Sequence, residues 1–357
     1  MRDDLWNKLN QLVEIPGVSG HEVDVARFLR DSVKDLADEV FVDAVGNVFA
    51  RKKGNGNGPK LLIAAHADQI GAVVRYINDD GFLRLERIGG MLDSLMVGRK
   101  VRVGGVPGVI GVKSGHYQTP EERKQVPSTE ELYVDVGADS REEVEELGIG
   151  IGTSIVYDDG LTLFSDGNRF VGPAVDNRAG CAVLWQLLQE LQDGNFAGEL
   201  WAVFTVQEEV GLRGAQVAAE RVGPDIAIAL DTIPCGGTPD VSKDQLHTGI
   251  GKGPVLAFVS GRGGTFAAHP KVRELLTGCA EENHIPYQPM IFSGGNNDAS
   301  SMQLAGEGIA AGSVTLPRRY SHTPVEMGDL RDMVASTRLL TEVVKNMGKY
   351  DNFCFIG

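Results

Sequence analysis

Cysteine is scarce in this chain: Cys181, Cys235, Cys279 and Cys354 are the only four in 357 residues. They lie far apart and form no C-x-x-C pair. Neither a disulfide framework nor a cysteine-held structural zinc is expected; reduced thiols in a cytoplasmic protein are. Long apolar runs are missing as well. None approaches the roughly 20 residues that a membrane helix needs. The first residues, "MRDDLWNKLNQLVEI", are charged and amphipathic and lack the apolar stretch of an export signal. A membrane partner is therefore not expected. Positive charge is in deficit: 34 Lys and Arg face 49 Asp and Glu, for a formal net charge of -15. Binding to a phosphate backbone rests on clustered Lys and Arg, so a nucleic-acid partner is not expected either. Aromatic residues make up 6% of the chain, and no groove of them can be read for stacking sugar rings. No low-complexity segment and no repeat of fixed period is present.

What remains is ordinary for a globular protein, 42% hydrophobic and 23% charged, but longer than one average domain needs. Residues 3–14 and 21–36 carry helical spacing, and Ser19 with Glu22 fits a capping box before the second of these. "VFVDAVGNVFARK" reads as two short strands around a Gly-Asn turn, "GNGNG" as a loop and "KLLIAAHA" as a buried strand. From about residue 71 to 167 the texture changes. Short β-like runs ("AVVRYI", "FLRLERI", "KVRVGGV", "GVIGVK", "LYVDVG") alternate with Gly, Asn-Asp and Pro turns, with one helix in "SREEVEELG". Beyond Arg169 long elements return: the helix "NRAGCAVLWQLLQELQ", the strands "ELWAVFTV", "DIAIAL" and "GIAAGSVT", and the helices "PKVRELLTGCAEEN" and "DLRDMVASTRLLTEVVKNM". Strands alternating with helices predict an α/β sheet. The expected organisation is one α/β domain over 1–70 and 168–357, with a small β-rich domain inserted over 71–167.

Polar residues stand where the apolar strands stop. His66 and Asp68 follow "LLIAA", Asp176 precedes a helix in "GPAVDNRAG", Glu208 and Glu209 end "LWAVFTVQ", Asp231 ends "DIAIAL", and His322 lies in "RRYSHTPVE". Taken singly each has an ordinary reading: a satisfied strand-end histidine, a helix N-cap, a solvated glutamate pair, a turn cap. Taken together, five segments deliver a His or a carboxylate to the carboxyl edge of the sheet, where open α/β sheets form their sites. Two imidazoles with three or four carboxylates suit zinc or another divalent first-row metal. Charge favours two ions over one, since Asp176, Glu209, Asp231 and one hydroxide balance +4, whereas a single ion leaves buried anionic excess. A pair of ions also explains two adjacent glutamates. One serves as ligand while its neighbour, whose side chain diverges, stays free as a base.

These residues resemble a known family, the tetrahedral (TET) or deblocking aminopeptidases, glutamyl-aminopeptidase-like dinuclear metallopeptidases. The resemblance runs through "EIPGVSGHE", "DAVGNV", "AHADQIG", "AVDNRAG", "TVQEEVGLRGA", "ALD" and "RYSHTPVE" in the family's order, with "YVDVGADSREEVEELGI" at the end of its insert. It implies an α/β/α metallo-exopeptidase domain with a PDZ-like or barrel-like insert. It further implies that His66, Asp176 and Asp231 hold one divalent metal and that Asp176, Glu209 and His322 hold the other. Zinc or cobalt is implied, with manganese as a further candidate. Glu208 would be the general base and Asp68 would orient His66. A cis peptide is expected between Asp176 and Asn177. Short peptides are the implied substrates, and a homo-oligomer, dimer or tetrahedral dodecamer, is the implied assembly, paired through the insert. The chain departs from the usual pattern at Gln69, in "GGNNDASS" and in "LDTIPCGGTPD", places that bear on substrate preference more than on catalysis. A related amidohydrolase acting on small amides, and a silent scaffold, are the alternative readings.

Overall fold

Four strands that lack polar alternation, Ala197–Thr205, Gly56–His66, Ile226–Pro234 and Ala310–Arg318, run parallel side by side in the computed structural model of the chain. The structure describes residues 1–350 and 352–356. These strands read as continuous apolar runs because both faces of the sheet are covered. Leu61, Ile63 and Ala65 pack with residues of the helices Arg2–Val13, Val175–Glu190 and Leu330–Asn346. Leu62 and Ala64 point the other way and pack with Ala215, Ala218 and Ala219 of the helix Arg213–Val222. That alternation, with period two, produces the α/β/α layering. The hairpin Glu39–Val42 and Val48–Lys53 closes one side of the nine-stranded sheet in antiparallel register. Val255–Ser260 continues the other side, antiparallel to Ala310–Arg318 and parallel to Gln288–Phe292.

The β-rich stretch has its own sheet. Gly71–Ile77, Leu83–Ile88, Tyr133–Asp135, Val106–Gly111, Lys100–Val103 and Ser154–Tyr157 close into a barrel. Its interior is a separate apolar cluster that includes Val74, Leu85, Val101, Ile110, Val134 and Ile155. Closure leaves no unpaired edge inside the barrel, which is how a small antiparallel sheet avoids strand-to-strand aggregation. Of the two expected forms the barrel-like one is found. Its last strand, Ser154–Tyr157, is not among the runs read from the sequence. A three-stranded sheet follows, pairing Arg169–Gly172 with Thr162–Leu163 and with Glu326–Asp329. Gly172 lies opposite Glu326 in it, so the entry to the helix Val175–Glu190 meets the segment after His322.

Two local expectations are corrected. Ser19 and Glu22 do not form a capping box: the helix Val23–Val33 has Glu22 as N-cap with no side-chain bond to it. The Ser19 hydroxyl donates instead to Asp68, and the Glu22 carboxylate accepts from Gln207 N–H. Distant partners outcompete the local ones here. Within "GNGNG", the strand already begins at Gly56. Among the described residues, no helix is long and apolar enough to cross a membrane.

Candidate active site

The seven residues singled out in the sequence meet at the carboxyl edge of the parallel strands. His66 closes Gly56–His66 and Asp231 lies within Ile226–Pro234. Glu208 and Glu209 follow Ala197–Thr205. Asp176 is the second residue of Val175–Glu190, in non-helical backbone, and the Asp176–Asn177 peptide is cis. His66 Nε2 lies 3.2 Å from Asp176 Oδ1, 3.4 Å from Asp231 Oδ1 and 4.0 Å from Glu208 Oε2. His322 Nε2 lies 3.4 Å from Asp176 Oδ2 and 3.5 Å from Glu209 Oε2. Asp176 thus stands between the two imidazoles. The cluster opens into a cavity of about 400 Å³.

Asp68 is the tie between two of these segments. It is fully buried, and its backbone oxygen and Oδ1 lie 3.2 and 3.4 Å from His66 Nδ1. Its carboxylate also accepts the backbone N–H groups of Glu208 at 3.0 Å and Glu209 at 3.2 Å, and the Ser19 hydroxyl at 2.6 Å. One carboxylate therefore holds both the imidazole ring and the turn that presents the glutamate pair. The same turn is fixed from behind by Asn47, whose side chain accepts from Val206 N–H and donates to Gly214 O. A Cβ at Gly214 would come within 2.4 Å of Asn47 Oδ1, which accounts for glycine there.

Arg318 and Glu326 belong to the site and are not singled out by the sequence pattern. Both are buried. Arg318 Nη2 lies 2.6 Å from Asp176 Oδ2, and its Nη1 bonds Glu326. Glu326 also accepts from Asp176 N–H at 3.0 Å and from His322 N–H at 2.8 Å. Such a buried, multiply bonded ion pair fixes geometry more surely than it adds stability. Between Arg318 and Glu326 the chain passes through left-handed backbone at Tyr320 and His322, with φ of 58° and 57°. The only sequence signal was the acidic residue closing "SHTPVE".

The electrostatics show a site short of positive charge. Burial lifts the Glu208 carboxyl well above its ordinary value, with Asp231 adding to the shift and His66 opposing it. Burial, then the charge of Asp176, raises Glu209 to about 8. For His66 burial works downward, but Glu208, Asp231 and Asp176 outweigh it and hold the imidazole well above its usual value. Burial also opposes protonation of His322, yet bonding to Asp176 and the charge of Glu209 carry it to about 9. Arg318 is the fixed cation against which Asp176, despite burial, is held well below the usual carboxylate range. Two groups of donors converge within 4.8 Å: His66, Asp176 and Glu209, and His66, Glu208 and Asp231. Glu209 Oε1 is buried without a hydrogen-bond partner, a costly state for a carboxylate oxygen unless a cation meets it. Imidazole nitrogens and carboxylate oxygens in this number fit divalent first-row ions.

The barrel reaches this cluster through Gly89 and Gly90, which follow its strand Leu83–Ile88. A Cβ at Gly90 would lie 2.4 Å from His322 Nδ1, and one at Gly89 would lie 3.3 Å from Glu209 Cβ. Gly90→Ala is expected to displace the His322 ring. Because His322 is expected from the sequence to hold a metal, kcat/KM is expected to fall about 10- to 100-fold, the usual cost of disturbing what orients a metal ligand. Bound-metal content should fall while the circular dichroism spectrum is unchanged. An alanine variant with wild-type kinetics and metal content would show that His322 has room to spare.

Residues 46–339 match the family model described as M42 glutamyl aminopeptidase. The chain is 34% identical to the lysyl aminopeptidase of Pyrococcus furiosus, with 97% of this chain and 98% of that protein covered. Among solved structures, an aminopeptidase from Desulfurococcus kamchatkensis superposes with a TM-score of 0.92 at 38% identity, over 97% of this chain and 95% of the other. The TET1 peptidase of Pyrococcus horikoshii, which can assemble into a tetrahedron or a large octahedral shell, superposes with a TM-score of 0.84 at 31% identity. That likeness covers 95% of this chain and 99% of the other.

Proposed function

The chain belongs to the M42 glutamyl aminopeptidase family, and on that footing we propose a dinuclear metal-dependent aminopeptidase that removes N-terminal residues from short peptides. The reading rests above all on one observation: two imidazoles and four carboxylates, Asp176 among them, converge at one edge of the sheet, with a Glu209 oxygen left bare. His66, Asp176 and Asp231 would hold one divalent ion, and Asp176, Glu209 and His322 the other; zinc or cobalt suits the set, and manganese also. The chemistry such ions supply is Lewis acidity toward a carbonyl oxygen and acidification of water. The chain does the rest. Glu208 takes the proton of the attacking water and passes it to the leaving amine, a role open to it because it stands beside the ligand set, its Oε2 4.0 Å from His66 Nε2. Asp68 keeps His66 and the Glu208–Glu209 turn in register. Arg318, with Thr232 donating at 2.9 Å, fixes the Asp176 carboxylate. The anionic wall offers a partner for the α-ammonium group of a substrate. The test is cleavage of short peptides with free and with acetylated N-termini, followed by mass spectrometry. Stepwise loss of residues from the free peptides alone is expected; equal cleavage of acetylated peptides would overturn the exopeptidase reading.

We further propose that residues 71–167 form the pairing domain of a homo-oligomer, a dimer or a tetrahedral dodecamer. In its favour the barrel segment leaves Leu92, Tyr117 and Ile151 exposed, at 56%, 78% and 66%, apolar surface of the kind that partners cover. A cage would confine the sites to an interior reached by short unfolded peptides, which suits a cytoplasmic enzyme finishing the products of larger proteases. Light scattering should give at least a dimer, with activity falling as peptides lengthen. A stable monomer of full activity would end the proposal.

A further inference from the structure

Arg178 follows Asp176 closely in the helix Val175–Glu190 and is fully buried. Its hydrogen bonds among the described residues go to neutral oxygens. Nη1 donates to Leu12 O at 2.7 Å, Nη2 donates to Gln69 Oε1 at 3.3 Å, and Nε has no partner. Burying a cation on such terms is costly, and the reaction described above makes no use of it. Arg178, Gln69 and Gly17 do not line the cavity, so any effect they have on the reaction passes through other residues.

The two acceptors lie on separate segments that the guanidinium joins. Leu12 is near the carboxyl end of the helix Arg2–Val13, and Gln69 follows Asp68 in the chain. Gly17 packs onto the same group: a Cβ there would come within 2.6 Å of Arg178 Nη2. Gly17 O accepts from Gln69 N–H at 3.0 Å, and Val18 pairs with Gln69 in a parallel bridge. Ser19, next in the chain, donates to Asp68, and Glu22 accepts from Gln207 N–H. The stretch 17–22 is thus laid along Asp68–Gln69 and along the approach to the glutamate pair, with the guanidinium against its first residue. Only a planar, forked cation reaches two acceptors on different segments in fixed directions; a lysine ammonium on its flexible stem does not.

Resting on the aminopeptidase reading above, we propose that Arg178 is a positioning residue for that reaction. Through Gln69 and Gly17 it clamps the stretch 17–22 against Asp68, and so steadies the carboxylate that meets His66 and accepts the backbone N–H groups of Glu208 and Glu209. Gln69 is the member that the clamp can lose most cleanly. Leucine in its place has nearly the same size but no acceptor, and leaves a buried guanidinium N–H unmet. Glutamate keeps the acceptor and can take the guanidinium with both oxygens.

The test compares wild-type, Gln69→Leu and Gln69→Glu as full-length, metal-loaded proteins, by hydrogen exchange and by steady-state kinetics on short peptides. In Gln69→Leu, amide exchange in peptides covering 206–212 is expected to quicken at least about 5-fold, the scale of leaving one buried donor unmet. Its kcat should fall about 10-fold or more, as when a group that orients a ligand from behind is lost, with KM little changed. Gln69→Glu should return both to near the wild-type level. A folded Gln69→Leu protein with wild-type exchange and kcat overturns the inference. So does one that is less stable to heat but turns over normally, because the clamp would then be structural only. If Gln69→Leu does not fold, Gly17→Ala, which presses on the same guanidinium, decides: the same paired change supports the clamp, and wild-type behaviour overturns it. Wild-type protein that cleaves no peptide defeats the aminopeptidase reading, whereas an active wild type with unaltered variants defeats the clamp alone.

Discussion

Replacing Glu208 by glutamine should lower kcat at least about 10²-fold, the scale of losing a general base, while metal content and KM change little. Glutamine keeps the size of the side chain and the backbone N–H bond to Asp68 at 3.0 Å, so the turn survives. What disappears is the oxygen that could accept a proton. Glu209→Gln should fail differently. Its Oε2 lies 3.5 Å from His322 Nε2 and its Oε1 is buried without a hydrogen-bond partner, so an amide there should weaken binding of one ion. Steady-state kinetics beside metal analysis by mass spectrometry separates the two outcomes. Normal turnover in both variants would show that the roles assigned to the pair are wrong.

Chelation should have the other large effect. Treatment with a chelator is expected to reduce peptidase activity to background, and added cobalt, zinc or manganese to restore it. The physical ground is the charge of the site. Asp176, Glu208, Glu209 and Asp231 crowd around His66 and His322, with Arg318 the nearest fixed cation. Without added positive charge some of these carboxylates must stay protonated, as the raised values of Glu208 and Glu209 indicate. Divalent ions relieve that repulsion and supply the Lewis acidity the chain lacks. Metal binding should also raise the unfolding temperature, since ions that bind only the folded state stabilise it. Full activity in protein shown to be metal-free would defeat the proposal.

A good part of this was legible in the residues themselves. The α/β class followed from apolar runs too continuous for one-sided strands, and the candidate site from the polar residues at which those runs stop. Both signals are local, because a strand buried on both faces carries its own record of burial, and a residue at its end is placed by the strand alone. What supports those residues was decided by the fold. Ser19 and Glu22 looked like a capping box until Asp68 and Gln207 N–H, 49 and 185 residues away, proved the better partners. Arg318 and Glu326 carry no pattern in the sequence, since a buried ion pair is recognisable only when its members, eight residues apart, turn toward a third residue 150 positions from Glu326. Gly90 reads as one glycine among 46; only the approach of the barrel to His322 distinguishes it. The sequence alone thus determined the layers and which polar residues stand at the strand ends, through propensity and burial that each segment carries by itself. The tertiary structure decided which groups hold those residues still, because hydrogen bonding and close approach depend on partners that only folding brings together.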